Sequence, residues 1–386
     1  MACSAAFRLC CILYFCTSMI HSISSLAPFF VCSFIAIELL LSRRNAAKQC
    51  LLLWAVASMV LYACHALYFF HIDAARVWRH VVYTFCNLSI YPLFLFYIGR
   101  LTGNVSLTRH PATLSAALVP PVMGGVFLLI LPAWMSESEA SAFYEHFLYG
   151  DFQAELTGAA LTASCVTLIC RVVNVVQIII VLTLCYRMLM DYDRKLKFYY
   201  ADDDAYSLSH IRKLMVLMGV TALASIAANA LGVSFFFANK TFLPLVSLLF
   251  SALLFLIGYV GRHTEAVQMP EETGEIVSSS NVRHEALKDI MQTLEVWMKQ
   301  QEAFRKPDLK LQYVAQELST NRTYLLEALK QEAGQTFSEY VNRLRIDYAR
   351  QLMKEHPEWD KAHIAELSGY SSRSSFYRNL KIYSKG

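Results

Sequence analysis

The chain has 386 residues, of which 56% are hydrophobic and only 17% are charged, so an ordinary soluble globular protein is excluded and more than one domain is expected. The formal net charge is +4, and the polar C-terminal part is only slightly basic. That balance favours specific recognition over tight nonspecific coating of a polyanion.

The composition changes abruptly near Gly261. Before this point the sequence consists of apolar runs of about 20 residues, and after it the sequence is polar and rich in charge. A stretch rich in Pro, Gly, Ser and Glu at 270–280 is typical of a linker. The predicted organisation is an N-terminal segment at 1–23, a seven-span transmembrane domain at 24–262, a linker at 263–280 and a soluble domain at 281–386.

Cysteine usage limits the chemistry of the soluble domain. All eleven cysteines lie between Cys3 and Cys185, so this domain has no thiols for a zinc finger or a disulfide. The sequence also contains no P-loop, kinase signature, metalloprotease motif or nucleophile elbow. We therefore expect no enzyme activity, no cofactor and no metal.

Seven apolar runs are long enough to cross a hydrocarbon core about 30 Å thick. They are 24–42, 50–70, 77–98, 112–133, 160–186, 212–236 and 241–261. Lys and Arg are concentrated after the first, third, fifth and seventh runs, which by the positive-inside rule places the C-terminal domain in the cytoplasm. Residues 1–22 leave three interpretations open: a signal peptide, an extra span, or a non-native start before Met19.

Polar side chains within the spans indicate candidate sites, because their burial in lipid is costly. Arg171, Asn174 and Gln177 share one face of the fifth run, since they follow each other at intervals of three residues. One interpretation is a pocket that opens toward the outside and senses a signal. The other is that Arg171 extends to the outer interface while the two amides hydrogen-bond to neighbouring helices.

The soluble domain begins with a predicted amphipathic helix at 281–302. Its apolar face carries Leu287, Ile290, Leu294 and Trp297 or Met298. A short helix with Val314 and Ala315 follows and stops at a Ser-Thr-Asn turn, after which Asn321 caps a second helix. The residues expected to be buried on that second helix are Leu325 and Leu329. This is a helix-turn-helix pattern, whose second helix can enter the major groove of DNA.

The same pattern recurs fifty positions later. Ile364 and Ala365 repeat Val314 and Ala315, and Gly369 supplies the turn. Phe376 and Leu380 take the expected buried positions of the last helix. Two copies of one motif rarely arise by chance, so the repetition favours a paired DNA reader.

A linker helix is predicted between the two copies, starting at a capping box formed by Thr336 and Glu339. Its predicted buried stripe is Phe337, Tyr340, Val341, Leu344, Tyr348 and Leu352. A helix of about 18 residues is about 27 Å long. That length could hold the two recognition helices about one DNA turn apart, near 34 Å.

Taken together, these residues make 281–386 resemble the DNA-binding domain of the AraC/XylS transcription regulators. The matching positions are Leu311, Ala315, Asn321, Arg322, Leu325, Gly334, Phe337, Tyr340, Arg345, Ala349, Ile364, Ala365, Gly369, Tyr370, Ser375, Phe376 and Arg378. The seven-span body loosely resembles membrane-embedded regulators of this kind in Bacteroidetes-type bacteria. Family members usually continue past the position of Gly386 with a bracing helix, and Asn379 stands where an aliphatic residue is usual. The resemblance therefore predicts a second motif that is incomplete or less stable.

The exposed face of each recognition helix is expected to read base edges, while phosphate contacts supply affinity. The candidates are Asn321, Arg322, Thr323, Leu326, Glu327 and Lys330 in the first motif, and Arg373, Ser374, Tyr377, Arg378 and Lys381 in the second. Arg can form two hydrogen bonds to guanine, and Glu can accept one from cytosine. A solvated helix face is the alternative for any single residue, whereas the set favours double-stranded DNA.

The sequence thus predicts an all-α protein, with a polytopic transmembrane helical bundle followed by two helix-turn-helix motifs joined by a linker helix. We expect a transcription regulator of the bacterial inner membrane that senses an unknown small-molecule or membrane signal. Its expected partners are promoter DNA, the lipid bilayer and RNA polymerase, and dimerisation is optional because one chain carries two readers. The alternative is a transporter or receptor whose helical tail binds a protein.

Overall fold

The fold is helical throughout the part of the chain that the computed structural model describes, which comprises residues 23–43, 45–69, 76–149, 155–202, 207–238, 242–264 and 280–383. The predicted segment 1–22 and most of the predicted linker lie outside these ranges. The chain divides into two compact units. The membrane unit comprises Met1–Leu189 and Ser209–Glu265, and the C-terminal unit comprises Met190–Leu208 and Ala266–Gly386.

Seven helices in the described ranges are long and apolar enough to cross a membrane, which confirms the predicted number of spans. They are α1 (Ile23–Leu41), α2 (Ala46–Phe69), α3 (Arg76–Leu101), α5 (Pro111–Ile130), α7 (Gly158–Tyr199), α8 (Ser209–Ala238) and α9 (Phe242–His263), with short helices α4 (Val105–Arg109) and α6 (Glu137–Ser141) between them. Large apolar side chains such as Val172 and Leu223 point outward, as expected for helices surrounded by lipid.

The connection between α5 and α7 is folded against the ends of neighbouring helices. Ser136 and Glu139 form a capping box that starts α6, and a turn of π-helix at Ala142–His146 follows. Phe143 is buried and lies with its ring centroid 5.6 Å from that of His80 on α3. The aromatic side chains of this connection therefore form a small core of their own at one end of the membrane unit.

Helix α7 is longer than predicted, because it continues past 186 to Tyr199. The charges of its last part lie on one side, while Met188, Leu189, Tyr192 and Leu196 form a buried stripe. This amphipathic spacing sustains the helix beyond the apolar run. As a result, residues 190–208 belong to the same compact unit as the predicted soluble domain.

The C-terminal unit contains the helices predicted from the sequence. They are α10 (Ser280–Gln300), α11 (Leu311–Glu317), α12 (Arg322–Glu332), α13 (Phe337–Glu355), α14 (Lys361–Leu367) and α15 (Arg373–Tyr383). The buried stripe of α10 falls on Leu287, Met291, Leu294 and Met298, and the predicted Ile290 is only half-buried. Both hydrogen bonds of the predicted capping box of α13 are present, between Thr336 and Glu339.

Candidate functional site

The first helix-turn-helix motif consists of α11 and α12. Asn321 caps α12 as predicted, because its side-chain oxygen accepts a hydrogen bond of 3.0 Å from the backbone N–H of Thr323. Val314, Leu325 and Leu329 are fully buried and hold the two helices together. The motif therefore has the packing that its sequence pattern predicts.

The predicted reading face of α12 is accessible, although unevenly. Asn321 and Lys330 are exposed, whereas Arg322, Thr323, Leu326 and Glu327 are half-buried. Local partners include the helix cap at Asn321 and a hydrogen bond of 2.8 Å that Glu327 accepts from Gln331. Contact with a base would compete with these bonds.

Tyr324 is an exposed aromatic side chain that the sequence reasoning left out. It is 39% exposed on α12. Glu327 follows it three positions later, so the two side chains are neighbours on the helix surface. That spacing was the signal available in the sequence, and it adds an aromatic group beside the reading face.

The second motif consists of α14 and α15, and its predicted reading face is fully accessible. The exposed side chains are Arg373, Ser374, Tyr377, Arg378 and Lys381. Phe376 is completely buried on the opposite side, and Leu380 is half-buried beside it. Since three of the five exposed side chains are cationic, this face presents positive charge to the solvent.

The turn of the second motif depends on Gly369. Its φ of 83° lies in the left-handed region, and a Cβ at this position would lie 2.6 Å from the backbone oxygen of Arg305. The Arg305 side chain completes this contact by donating from Nε to the carbonyl of Leu367, at 3.0 Å. The segment before α11 thus packs directly on the turn of the second motif.

Arg345 on the linker helix α13 is fully buried, which the sequence reasoning did not predict. Its guanidinium donates to three backbone carbonyls, those of Phe304 (2.7 Å), Lys306 (2.7 Å) and Pro307 (3.4 Å). Burial lowers the pKa of Arg345 to about 10, and Tyr370 and Asp202 act in the opposite direction. The side chain is therefore charged at neutral pH and ties the segment before α11 to the linker helix.

Helix α13 also holds the far end of the second recognition helix. The Arg350 guanidinium donates to the backbone carbonyl of Tyr383, and the Tyr383 hydroxyl donates to the carbonyl of Glu339 at 3.2 Å. Asn379, which stands at a usually aliphatic position, is buried and donates to the carbonyl of Ser375 at 3.1 Å. Its amide is thus satisfied within α15 itself.

The three polar residues predicted to share a face of the fifth span are separated in the structure. Arg171 and Asn174 line a cavity in the membrane unit, between α3, α7 and α8. Gln177 is not among the residues that line it, and its amide donates to the backbone carbonyl of Ala116 on α5 at 3.2 Å. Gln177 therefore makes the helix-helix hydrogen bond of the alternative interpretation.

Within the described ranges, no group of three or more His, Cys, Asp or Glu side chains is placed to hold a metal ion. Residues 314–384 match the family model of a helix-turn-helix domain, which confirms the AraC-type domain predicted from the sequence. An uncharacterized transcriptional regulatory protein of Bacillus subtilis, YesN, is 35% identical over 72 residues, which are 18% of this chain and 20% of that protein. No solved structure matches the chain at a significant level.

Proposed function

We propose that the chain is a membrane-bound transcription regulator that binds promoter DNA in a sequence-specific manner. The observation that carries this proposal is the pair of helix-turn-helix motifs, which the family match at residues 314–384 covers except for the first three residues of α11. Both recognition helices present accessible polar faces, while their apolar faces are buried. The relative from Bacillus subtilis is described as a transcriptional regulatory protein, which supports the same class of function.

The chemistry of the second reading face fits a nucleic acid. Arg373 and Arg378 can each grip a guanine with two hydrogen bonds, and Ser374 and Tyr377 can donate to phosphate oxygens. From Lys361 onward the sequence contains five basic residues against a single acidic one. The local field therefore attracts a polyanion, while the side chains provide the groups that distinguish one base from another.

The apolar helices of the membrane unit indicate where in the cell the protein performs this function. Seven apolar helices support insertion in a bilayer, and the distribution of Lys and Arg supports a cytoplasmic C-terminal unit in a bacterial inner membrane. In this arrangement a signal reaches the promoter without an intervening kinase. RNA polymerase is the expected downstream partner, and a single chain with two readers can bind adjacent grooves without dimerising.

The test is selection of genomic DNA fragments by the full-length protein in lipid nanodiscs, at several salt concentrations. We expect selective retention, and we expect Arg378→Ala to weaken binding of the selected fragment about 10- to 100-fold, since a bidentate Arg–guanine contact contributes about 1–3 kcal/mol. Arg322→Ala is expected to weaken it in the same direction. Lys288→Ala is the matched control, because Lys288 is an exposed basic residue of α10 outside both motifs.

A wild-type protein that shows no preference among fragments would contradict the proposal. If Lys288→Ala and Arg378→Ala lowered the affinity for DNA equally, the interaction would be a nonspecific attraction between charges and not recognition of bases. Retention of a protein partner without DNA would favour the alternative of a receptor or transporter with a protein-binding tail.

A further inference from the structure

A cavity with both polar and apolar walls lies within the membrane unit, at the place where α3, α7 and α8 meet. Its volume is about 220 Å³, well above the ~10–15 Å³ that one water molecule needs by the same measure. Arg171, Asn174 and Asn87 contribute polar walls, and Leu88, Ile178 and Ile226 contribute apolar ones. This is room for a small organic molecule with one polar end.

The charge of the cavity is one-sided. Arg171 contributes a cation, and none of the described residues that line the cavity is an aspartate or glutamate. Within the described ranges, no carboxylate forms an ion pair with Arg171 either. An uncompensated cation at membrane depth is costly, so a ligand that supplies the missing negative charge gains a strong interaction.

The hydrogen-bonding groups that line the cavity further limit the chemical class of ligand that it can bind. Within the described ranges, the side-chain oxygen of Asn174 is buried without a hydrogen-bond partner, so a ligand hydroxyl that reaches it through rotation of the side chain would satisfy it. His80 is already occupied on both ring nitrogens, by Tyr68 Oη and Thr167 Oγ1, each at 3.3 Å. A ligand ammonium group would meet no carboxylate in the lining, which disfavours amino acids.

We infer that this cavity binds a small hydroxycarboxylic acid. Its carboxylate pairs with Arg171, its hydroxyl donates to Asn174, and its short carbon chain lies along Leu88, Ile178 and Ile226. This inference deepens the sensing part of the proposed function by giving the signal a chemical class. It concerns the membrane unit alone, so its test does not involve DNA.

Cys170 lines the cavity, so its reactivity reports on the charge of the cavity. The protein in nanodiscs is labelled with two thiol reagents of similar size, the anionic 2-sulfonatoethyl and the cationic 2-(trimethylammonio)ethyl methanethiosulfonates. Mass spectrometry measures modification of each cysteine. Relative to 2-mercaptoethanol labelled in parallel, we expect Cys170 to react about tenfold faster with the anionic reagent, because Arg171 attracts it.

Three further measurements complete the test. Arg171→Gln is expected to abolish the preference for the anionic reagent, and Arg187→Gln, which removes an exposed arginine of the same helix, is expected to preserve it. 3-Hydroxybutyrate is expected to slow labelling of Cys170, and 3-hydroxybutyramide is not. Absence of labelling at Cys170, a preference that survives Arg171→Gln, or equal protection by acid and amide would each overturn the inference.

A second inference rests on a different observation, the inter-span segment Tyr200–Asp202, which directly follows α7. All three residues are buried in the C-terminal unit. Tyr200 forms an antiparallel bridge with Lys310, and the Ala201 N–H donates to the carbonyl of Leu309 at 3.0 Å. The segment is therefore paired with the backbone immediately before the first helix-turn-helix motif.

The same segment also contacts the linker helix and the second motif. The carbonyl of Ala201 accepts hydrogen bonds from Ser338 Oγ (3.2 Å) and Asn342 Nδ2 (3.1 Å) on α13. The Asp202 carboxylate accepts one from the hydroxyl of Ser371, in the turn of the second motif. Three consecutive residues thus contact the backbone before the first motif, the linker helix and the turn of the second motif.

We propose that the inter-span segment sets the position of one motif relative to the other, so that a movement of α7 changes the spacing that the reader accepts. This rests on the proposed DNA-binding function. It assigns to α7 a task beyond crossing the membrane.

The test uses full-length protein and a set of DNA duplexes in which the two half-sites of a selected fragment are separated by insertions of up to half a turn, about 5 base pairs. Wild-type affinity is expected to fall at least tenfold across the set. We expect two variants, Ser371→Ala and Ala201→Pro, to reduce this dependence to under threefold and to leave binding to a single half-site unchanged. The proline removes the N–H that Ala201 donates to the carbonyl of Leu309.

Thr293→Ala is the control, because it removes an exposed hydroxyl of α10 outside these contacts. The inference is overturned if both variants keep the spacing dependence of the wild type. It is also overturned if they lose binding to a single half-site as well as the spacing dependence. Neither outcome contradicts the proposed function. If the wild-type protein shows no selectivity for any DNA sequence, that result contradicts both this inference and the proposed function.

Discussion

Replacement of Arg345 by methionine is expected to lower the free energy of unfolding of the C-terminal unit by about 3–5 kcal/mol. The methionine fills much of the volume but donates no hydrogen bond. The carbonyls of Phe304, Lys306 and Pro307 then lose a charged donor, and any that stay buried keep the full penalty of desolvation. Since these carbonyls precede α11, the change loosens the first motif as well as the linker helix.

Hydrogen exchange of the full-length protein measures this effect locally. A loss of 3 kcal/mol corresponds to acceleration of the slowest amides of α11 and α13 by about a hundredfold or more. Arg343→Met is the matched control, because Arg343 lies two residues earlier on the same helix and is exposed. Equal protection in the two variants would show that the buried guanidinium contributes little to stability.

The helices of the C-terminal unit were predictable because their ends carry local signals. Asn321 and the pair Thr336 and Glu339 form caps from residues adjacent in sequence, and such caps need no tertiary contact to be recognised. The seven spans were predictable for a similar reason, since length and hydropathy suffice to identify them. Local chemistry therefore accounts for most of the secondary structure.

The missed features depend on contacts between distant residues. An arginine in the middle of a helix is usually exposed. The burial of Arg345 is favourable because its guanidinium donates to three carbonyls about forty residues earlier. The predicted stripe residues Leu344 and Tyr348 are only half-buried, because the buried face of α13 is rotated to include Arg345. The prediction was correct for Phe337, Tyr340, Val341 and Leu352, and periodicity failed only in the middle of the helix.

The cavity shows the same limit on the membrane side. The spacing of Arg171, Asn174 and Gln177 placed them on one helix face, but neighbouring helices divide that face. The position of α5 brings a free carbonyl at Ala116 to Gln177, whereas α3 and α8 leave space beside Arg171. Helix packing, which the sequence does not display, decides which polar residue lines a site and which joins two helices.

Substitution of Gly369 by alanine is the second change with a large expected effect, and Gly334 provides its control. Both glycines have positive φ, 83° and 64°, so an alanine at either position incurs backbone strain of about 1–2 kcal/mol. At Gly334 nothing lies within 4 Å of the added Cβ, whereas at Gly369 the Cβ would lie 2.6 Å from the carbonyl oxygen of Arg305. The difference between the two variants isolates the cost of that collision.

Because the atom that obstructs the Cβ belongs to backbone, it cannot rotate away as a side chain could. Relief requires separation of the 303–305 turn from the second motif, which disturbs the Arg305 bond to Leu367. We expect Gly334→Ala to lower the free energy of unfolding by about 1 kcal/mol and Gly369→Ala by about 2–5 kcal/mol. Hydrogen exchange should be accelerated in α14 and α15 only in the second variant. Equal effects in both would mean that the left-handed backbone, and not the contact with Arg305, accounts for the glycine at this turn.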